Sequence, residues 1–425
     1  MRKTLNVGRS IGLVIGSVLG SGLMILPGLV YNQVGVFSFY SWLGMGILII
    51  PFMFIFSRIM IQYPSSGGLV NVVHIILGDQ MGVSITWLLI ISLIMLVPIV
   101  GIIGANYIGY LFNLSEPLRV IVAWLLLGFF TIVNTLDTRI SLKIQGVTSI
   151  LLLMLLFSIT LISLFGSGER FAQKILVDFR IGNFKPIWLG MTLVFWAFLG
   201  WENLSFTTEE FKNVKKDLNI VIAASYLIMM LLYLGLSAGV IIWLDPNNPE
   251  TIRAPLAEVA RVKLGAYSGA TVATIAFLIM LININAWVWG PSRMVFDAGR
   301  KNIIPGIFSR LNRHHTPHYA LYALLFSYSV ALMLVLVAGP RIIPIAIKQV
   351  NSVFLLLYIL SIISFIKISK SIYAKGIGAL AAGMLIFFFM EFGPYLILPA
   401  IILAIILLKL LIKTHANTTE QQKIP

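Results

Sequence analysis

The chain has 425 residues, of which 59% are hydrophobic and only 11% charged; a soluble domain of that length could not hide so much apolar surface, so the solvent for most of it is lipid. A formal charge of +15 would suggest nucleic acid in a soluble protein. Here the basic residues sit in short segments between apolar runs, with no aromatic-interleaved basic face, which excludes nucleic acid as a partner and leaves membrane orientation as their use.

The N-terminus, Met1-Arg2-Lys3-Thr4, is positive and precedes an apolar stretch. That stretch continues through Pro27 to about Val30 without a small-residue cleavage site, so it reads as a first spanning segment and not as a signal peptide. At about 20 apolar residues per spanning helix, twelve spans are predicted, at roughly 10–32, 37–60, 83–112, 118–136, 141–166, 187–207, 219–244, 267–290, 319–338, 343–366, 376–391 and 394–412. The expectation is therefore an all-α integral membrane protein with one transmembrane domain, 1–412, and a polar tail, 413–425.

An even number of spans puts both termini on one side. Of the 30 Lys and Arg, the opposite side receives Arg119, Arg170, Lys174, Arg180, Lys185, Arg253, Arg261, Lys263, Arg341 and Lys348, and the N-terminal side the other 20. That bias predicts cytoplasmic termini and a multi-pass protein of the plasma (inner) membrane. On the outer side, Asp245-Pro246-Asn247-Asn248-Pro249 is rich in turn residues, and Pro255 to Lys263 reads as a short surface helix.

The first span is crowded with residues that weaken helices: Gly12, Gly16, Gly20-Ser21-Gly22 and Pro27. The spacing of Gly12, Gly16 and Gly20 by four is also the small-residue pattern of close helix packing. Packing does not account for Gly20-Ser21-Gly22 before Pro27, where two glycines free the backbone to leave helical geometry. In lipid the amides and carbonyls so released cost several kcal/mol each unless protein, water or a ligand satisfies them. A break here predicts a cavity.

A solute-binding cavity calls for a second interrupted helix in the other half of the chain. The sixth span supplies it in "FWAFLGWENLSF", where Gly200 and Glu202 interrupt an apolar run five spans after the first break. Spans 1 to 5 (10–166) and 6 to 10 (187–366) then form two inverted copies of one unit, with two helices, 376–412, appended. A half-helix that starts at a break presents N–H groups to a carboxylate, and one that ends there presents carbonyls to an ammonium group. Two breaks side by side suit the backbone of an amino acid.

Four patches carry a resemblance: "GSGLMILPG", "YPSSGG" at Tyr63–Gly68, "FWAFLGWENLSFTTEEFKN" at Phe195–Asn213 and "NAWVWGPSRMVFDAGRKNIIP" at Asn285–Pro305. In this order they resemble the amino acid–polyamine–organocation (APC) superfamily, and within it prokaryotic amino acid permeases and exporters. The resemblance implies a leucine-transporter-type fold of five-plus-five inverted repeats. It also implies that Gly20, Ser21 and Gly22 take the substrate carboxylate, the backbone from Phe198 through Gly200 to Trp201 the amine, and Trp196 the role of aromatic gate. Glu202 matches a carboxylate linked to proton sensing or gating, and Trp287 a position that walls the side-chain pocket.

The chain departs from the family where Lys212-Asn213 is followed by Val214 and not proline, and where "FDAGRKNIIP" displaces Asp297 and Arg300 from their usual places. The helix-five lysine that stands in for sodium in some relatives aligns with Leu152, and "LININAWVWGPS" shows asparagines and no Ser/Thr pair, so sodium is disfavoured.

Glu202 is the one carboxylate placed near the middle of a span, and an intramembrane ionisable group is expensive and usually functional. Asn106, Tyr107, Asn203, Ser205, Asn283 and Asn285 are polar residues within spans, more often interhelical hydrogen bonds than ligand contacts; Asn285 is the preferred binding residue among them. The Tyr63–Gly68 segment lacks the lysine and spacing of a phosphate loop. His314, His315 and His318 share a basic loop with Arg310 and Arg313 and read as solvated surface, so no metal and no cofactor is expected.

The sequence thus predicts a secondary transporter of neutral or apolar amino acids that works by alternating access, with proton coupling or exchange. A polyamine or organic-cation carrier using Glu202, and a non-transporting amino acid sensor on the same fold, are the alternatives. A membrane-embedded enzyme is disfavoured, since no cysteine is present and all five histidines fall in or beside loops, leaving no nucleophile with a base in reach.

Overall fold

The computed structural model describes residues 7–8, 10–12, 20–62, 68–136, 142–176, 182, 184–200, 214–397, 399–401, 403–405 and 408. They are almost entirely helical: α1 (Gly22–Val34), α2 (Phe37–Gln62), α3 (Gly68–Leu77), α4 (Asp79–Phe112), α5 (Glu116–Leu136), α6 (Leu142–Leu164), α7 (Gly168–Ile175), α8 (Phe184–Val194), α9 (Val214–Trp243), α10 (Pro249–Arg253), α11 (Pro255–Leu264), α12 (Ala266–Arg300), α13 (His318–Ala338), α14 (Ile342–Ile368) and α15 (Ile372–Met390). Among the described residues eight helices are long and apolar enough to cross a bilayer, or nine if α6 and α7 are taken together. Shorter apolar helices cover Phe184–Phe198 and Gly393–Ile405.

Two groups of helices share the work. One is built around α4, which packs on α12, α5, α13 and α14, with α5 also against α12 and α13. In the other, α1 packs on α8, α9 and α2, and α2 on α8 and α9. A helix as apolar all round as α4 belongs at the centre of a bundle, and most of its residues from Leu96 to Tyr107 are buried. Side chains such as Phe129 on α5 and Phe326 and Met333 on α13 face outward, where the surroundings are acyl chains.

Close packing follows the small-residue rule. Gly235 and Gly239 of α9, four apart, lie against Thr160 and Ser163 of α6 with no room for a Cβ at either. Several serine and threonine hydroxyls inside the spans are satisfied by their own helix: Ser92 Oγ donates to the Leu88 carbonyl at 2.9 Å and Thr131 Oγ1 to the Leu127 carbonyl at 2.7 Å.

The end of the eighth span differs from the sequence expectation. The hydropathy signal of the eighth span ends near 290, whereas α12 runs on to Arg300. The added segment is polar enough to end an apolar run but keeps helical geometry through Pro291, and it stops where Lys301 N–H bonds the Asp297 carbonyl and Asn302 turns left-handed at φ 53°.

Candidate functional site

The first break is built at the residues the sequence singles out. The chain bends at Gly20 and turns at Ser21, and α1 starts at Gly22. Ser21 is buried and its side chain caps nothing. The first bond of the new helix is a short-range one, Met24 N–H to the Ser21 carbonyl at 3.1 Å. The leading amides of α1, and the positive end of its dipole, therefore lie at the break.

The second break follows α8. The helix tightens into a 3₁₀ turn over Phe195–Phe198. Leu199 is then extended, at φ −81° and ψ 153°, and Gly200 has φ 112°, a conformation that only glycine adopts without strain. Carbonyls of the last turn of α8 and of the 3₁₀ turn are held by side chains from two other helices. Asn351 of α14 donates to the Thr192 carbonyl at 2.7 Å and the Leu193 carbonyl at 3.3 Å, and the buried Tyr233 hydroxyl of α9 donates to the Ala197 carbonyl. The protein thus satisfies backbone that lipid could not.

The two breaks touch. A Cβ built on Gly22 would lie 3.8 Å from Ala197 Cα and 3.8 Å from Trp196 Cδ2. Trp196 is buried against this junction, while the Phe198 ring turns away from it to pack edge-on against Tyr233 at 5.0 Å and obliquely on Trp42 at 6.4 Å.

Two scaffold helices meet the first break. From α4, the fully buried Tyr107 hydroxyl donates to the Met24 carbonyl at 2.8 Å. From α12, the Asn283 amide nitrogen lies 3.7 Å from the position of a Gly20 Cβ, and its Oδ1 is buried with no hydrogen-bond partner. Trp287, four residues on, shares that face of α12. Asn285 does not: its Oδ1 accepts from Asn134 Nδ2 of α5 at 2.8 Å, inside the scaffold. Trp201 and Glu202 lie outside the described residues, as does 63–67 of the "YPSSGG" segment.

A lid covers the end of α1 away from the N-terminus. Asn32 of α1 donates to the Pro246 carbonyl at 2.7 Å, and Gly28 lies directly under Thr251 of α10. The lid is also tied to the scaffold. Arg119 of α5, 1% exposed, bonds Glu250 at 2.9 Å, and Arg253 pairs with both Glu250 and Glu116. On α11, Glu258 receives Arg261, Tyr110 of α4 and Asn248. Burial pushes the Glu258 carboxyl up, but the Arg261 guanidinium and the hydrogen bonds from Tyr110 and Asn248 outweigh it and hold the group below its ordinary value. On the other side of the membrane, Asp297 pairs at 2.7 Å with Lys301 of its own helix.

A family model described as "Amino acid permease" matches residues 5–419. The chain belongs to the amino acid permease family. Its relatives include bacterial amino acid permeases and exporters. It is 25% identical over 315 residues to the uncharacterized amino acid permease YecA of Bacillus subtilis (strain 168), covering 71% of this chain and 70% of the relative. To the L-methionine/branched-chain amino acid exporter YjeH of Escherichia coli (strain K12) it is 23% identical over 376 residues, 88% of each. Among solved structures, MhsT in complex with L-phenylalanine superposes with a TM-score of 0.65 at 13% identity, over 92% of this chain and 99% of that one. That likeness shows the fold, which is of the leucine-transporter type. The protein is therefore an amino acid transporter and not an enzyme.

Tyr233 and Asn351 escape a reading of the sequence, although each leaves a trace. Asn351 sits in "KQVNS", a polar interruption of the tenth span, and Tyr233 is a lone hydroxyl in "MMLLYLGL". Both serve the backbone of the second break, a role that a list of substrate ligands does not anticipate.

Proposed function

We propose that this permease carries neutral, apolar amino acids by alternating access, using the paired breaks as its substrate site. The observation that supports this most is the contact between Gly22 and the 3₁₀ turn at Trp196 and Ala197. It sets an amide-rich helix start beside a carbonyl-rich helix end, the pairing that an α-amino acid's own backbone requires.

Gly20, Ser21 and Gly22 take the carboxylate, and the backbone from Phe198 through Gly200 to Trp201 takes the ammonium group. Trp196 closes over the bound molecule, and Trp287 and Asn283 line the side-chain pocket from α12. Asn285 acts indirectly, holding α12 to α5 through Asn134. The walls nearest Gly22 are Leu26, Ala197 and Trp196, which suits an apolar side chain. YjeH, named as an exporter of L-methionine and branched-chain amino acids, agrees with that choice.

In the cycle, α1, α2, α8 and α9 move against α4, α5, α12 and α13, the two groups into which the packing divides. Glu202, near the second break in sequence, carries the proton or senses its gradient, whether the carrier works as a symporter or an exchanger. The excess of Lys and Arg on the N-terminal side supports cytoplasmic termini.

Counterflow tests the proposal. Proteoliposomes are loaded with unlabelled leucine, methionine, alanine, arginine or putrescine, and entry of the labelled counterpart is followed without an ion gradient. Leucine or methionine should accumulate and putrescine should not. Accumulation of putrescine alone would make the protein a cation carrier, and leucine binding without counterflow would make it a sensor.

A further inference from the structure

On the side of the membrane away from the N-terminus, α6 ends at Leu164 and α7 leaves at 90° to it. A helix at right angles to a spanning helix, at its end, runs along the bilayer surface. One face of α7 is anchored: Ile175 is buried, and the Phe171 ring packs edge-on against Phe39 at 6.0 Å.

The charges of α7 gather elsewhere. The Arg170 guanidinium lies 4.4 Å from the centre of the Trp243 ring, and Lys263 Nζ, from the lid helix α11, lies 4.2 Å from the same ring. Lys174, one turn after Arg170, donates to the Ile242 carbonyl at 2.9 Å, next to Trp243 at the end of α9. The indole itself is pinned by its N–H to the Ser163 carbonyl at 2.7 Å. Two cations thus lie over one ring and a third is held on the backbone beside it, and among the described residues none of the three forms an ion pair with a carboxylate.

The arginines that bind the lid are held differently. Arg119, Arg253 and Arg261 are each paired with Glu250, Glu116 or Glu258. Glu169, the acid on α7, makes no ion pair among the described residues. An aromatic face attracts a cation without neutralising it, so the cluster keeps its positive charge. Beside it lie apolar side chains open to the surroundings: Phe165, whose carbonyl accepts from Lys263 at 2.6 Å, is 84% exposed, and Leu264 and Tyr267 are also exposed. Positive charge next to lipid-facing apolar surface matches a ligand that is anionic at one end and carries acyl chains at the other.

We propose that Arg170, Lys174 and Lys263, arranged around Trp243, form a binding site for the phosphate headgroup of an anionic phospholipid in the leaflet opposite the N-terminus. The lipid phosphate bridges α7 to the lid helix α11, and its chains lie along Phe165 and Leu264. Occupancy thereby ties the lid to the surface segment that leads into α8.

Native mass spectrometry of the purified full chain, after incubation with phosphatidylglycerol or phosphatidylcholine, tests the site. One phosphatidylglycerol should be retained selectively. Arg170→Gln with Lys263→Gln should weaken its retention about thirtyfold, at about fivefold for each cation removed. The charge-keeping pair Arg170→Lys with Lys263→Arg should retain it, as should Arg341→Gln, which removes an exposed cation elsewhere on the same side. If the double variant does not fold, Lys263→Gln alone carries the test, with the fivefold loss expected. Equal retention of both lipids, or undiminished retention by the glutamine variants, would overturn the proposal. Displacement by inorganic phosphate would also overturn it, since that would mark a soluble-anion site.

Discussion

Gly28 of α1 and Thr251 of α10 meet so closely that no Cβ fits between Gly28 and the Thr251 carbonyl, and the Pro255 Cβ lies 3.0 Å from the same position. The lid can seat on α1 only because residue 28 has no side chain. Overpacking of this kind costs about 1–3 kcal/mol, which corresponds to roughly a five- to 150-fold loss of the lid-closed population. Gly28→Ala should therefore insert normally and lose counterflow by about that factor. Normal counterflow from the variant would show that lid seating is not part of the cycle.

The Tyr233 hydroxyl is the partner of the Ala197 carbonyl at the second break. Tyr233→Phe leaves that buried carbonyl without it, at a cost of about 1–3 kcal/mol. The thermal midpoint should fall and substrate affinity with it, because the carbonyl belongs to the turn that receives the substrate. Tyr40→Phe removes a comparable bond, 2.7 Å to the Ile175 carbonyl, far along the chain from either break. It should lower the midpoint without touching affinity.

Asn283 and Asn285 separate along the same lines. Asn283→Ala removes an amide from the first break and should weaken substrate binding about tenfold, the worth of one buried hydrogen bond. Asn285→Ala instead deprives Asn134 of an acceptor within the scaffold, and should lower stability with affinity unchanged. The reverse result would put Asn285, and not Asn283, at the substrate.

The lid's carboxylate bears on pH dependence. Glu258 is held below its ordinary value of 4.5, so the stability it contributes is complete above that value and is lost only as pH falls through the still lower folded one. Between about pH 5 and pH 8 this group does not titrate. Thermal midpoints of wild type and Glu258→Gln should therefore differ by a constant amount across that range. A pH dependence of flux within it is assigned to Glu202, and Glu202→Gln should flatten the profile; an unchanged profile would return Glu202 to a structural role.

How much of this was legible in advance depends on what kind of information each feature needs. The breaks were, because glycine at 20, 22 and 200 inside apolar runs has few other uses in lipid. The helix surface at Pro255 to Lys263 was also legible, since it observes ordinary start and stop signals and appears as α11. Which of two asparagines faces the first break was not. Asn283 and Asn285 are two residues apart, on nearly opposite sides of α12, and only the placement of α12 between Gly20 and α5 decides between them. The ninety-degree turn into α7 was equally hidden, because a short polar helix after a span looks the same in sequence whether it continues upward or lies flat.

The measurement that bears most directly on the central claim is leucine counterflow with wild type, Gly22→Ala and Gly22→Val side by side. A lone Cβ at Gly22 makes ordinary contacts of 3.4 Å with Leu26 and 3.8 Å with Ala197 and Trp196, whereas the γ-methyls of valine would enter the space between the two breaks. The account predicts accumulation with wild type, reduced but measurable accumulation with alanine, and none with valine, all three being equally inserted. Undiminished counterflow with Gly22→Val would contradict it, because a substrate held between the breaks could not share that space with a valine side chain.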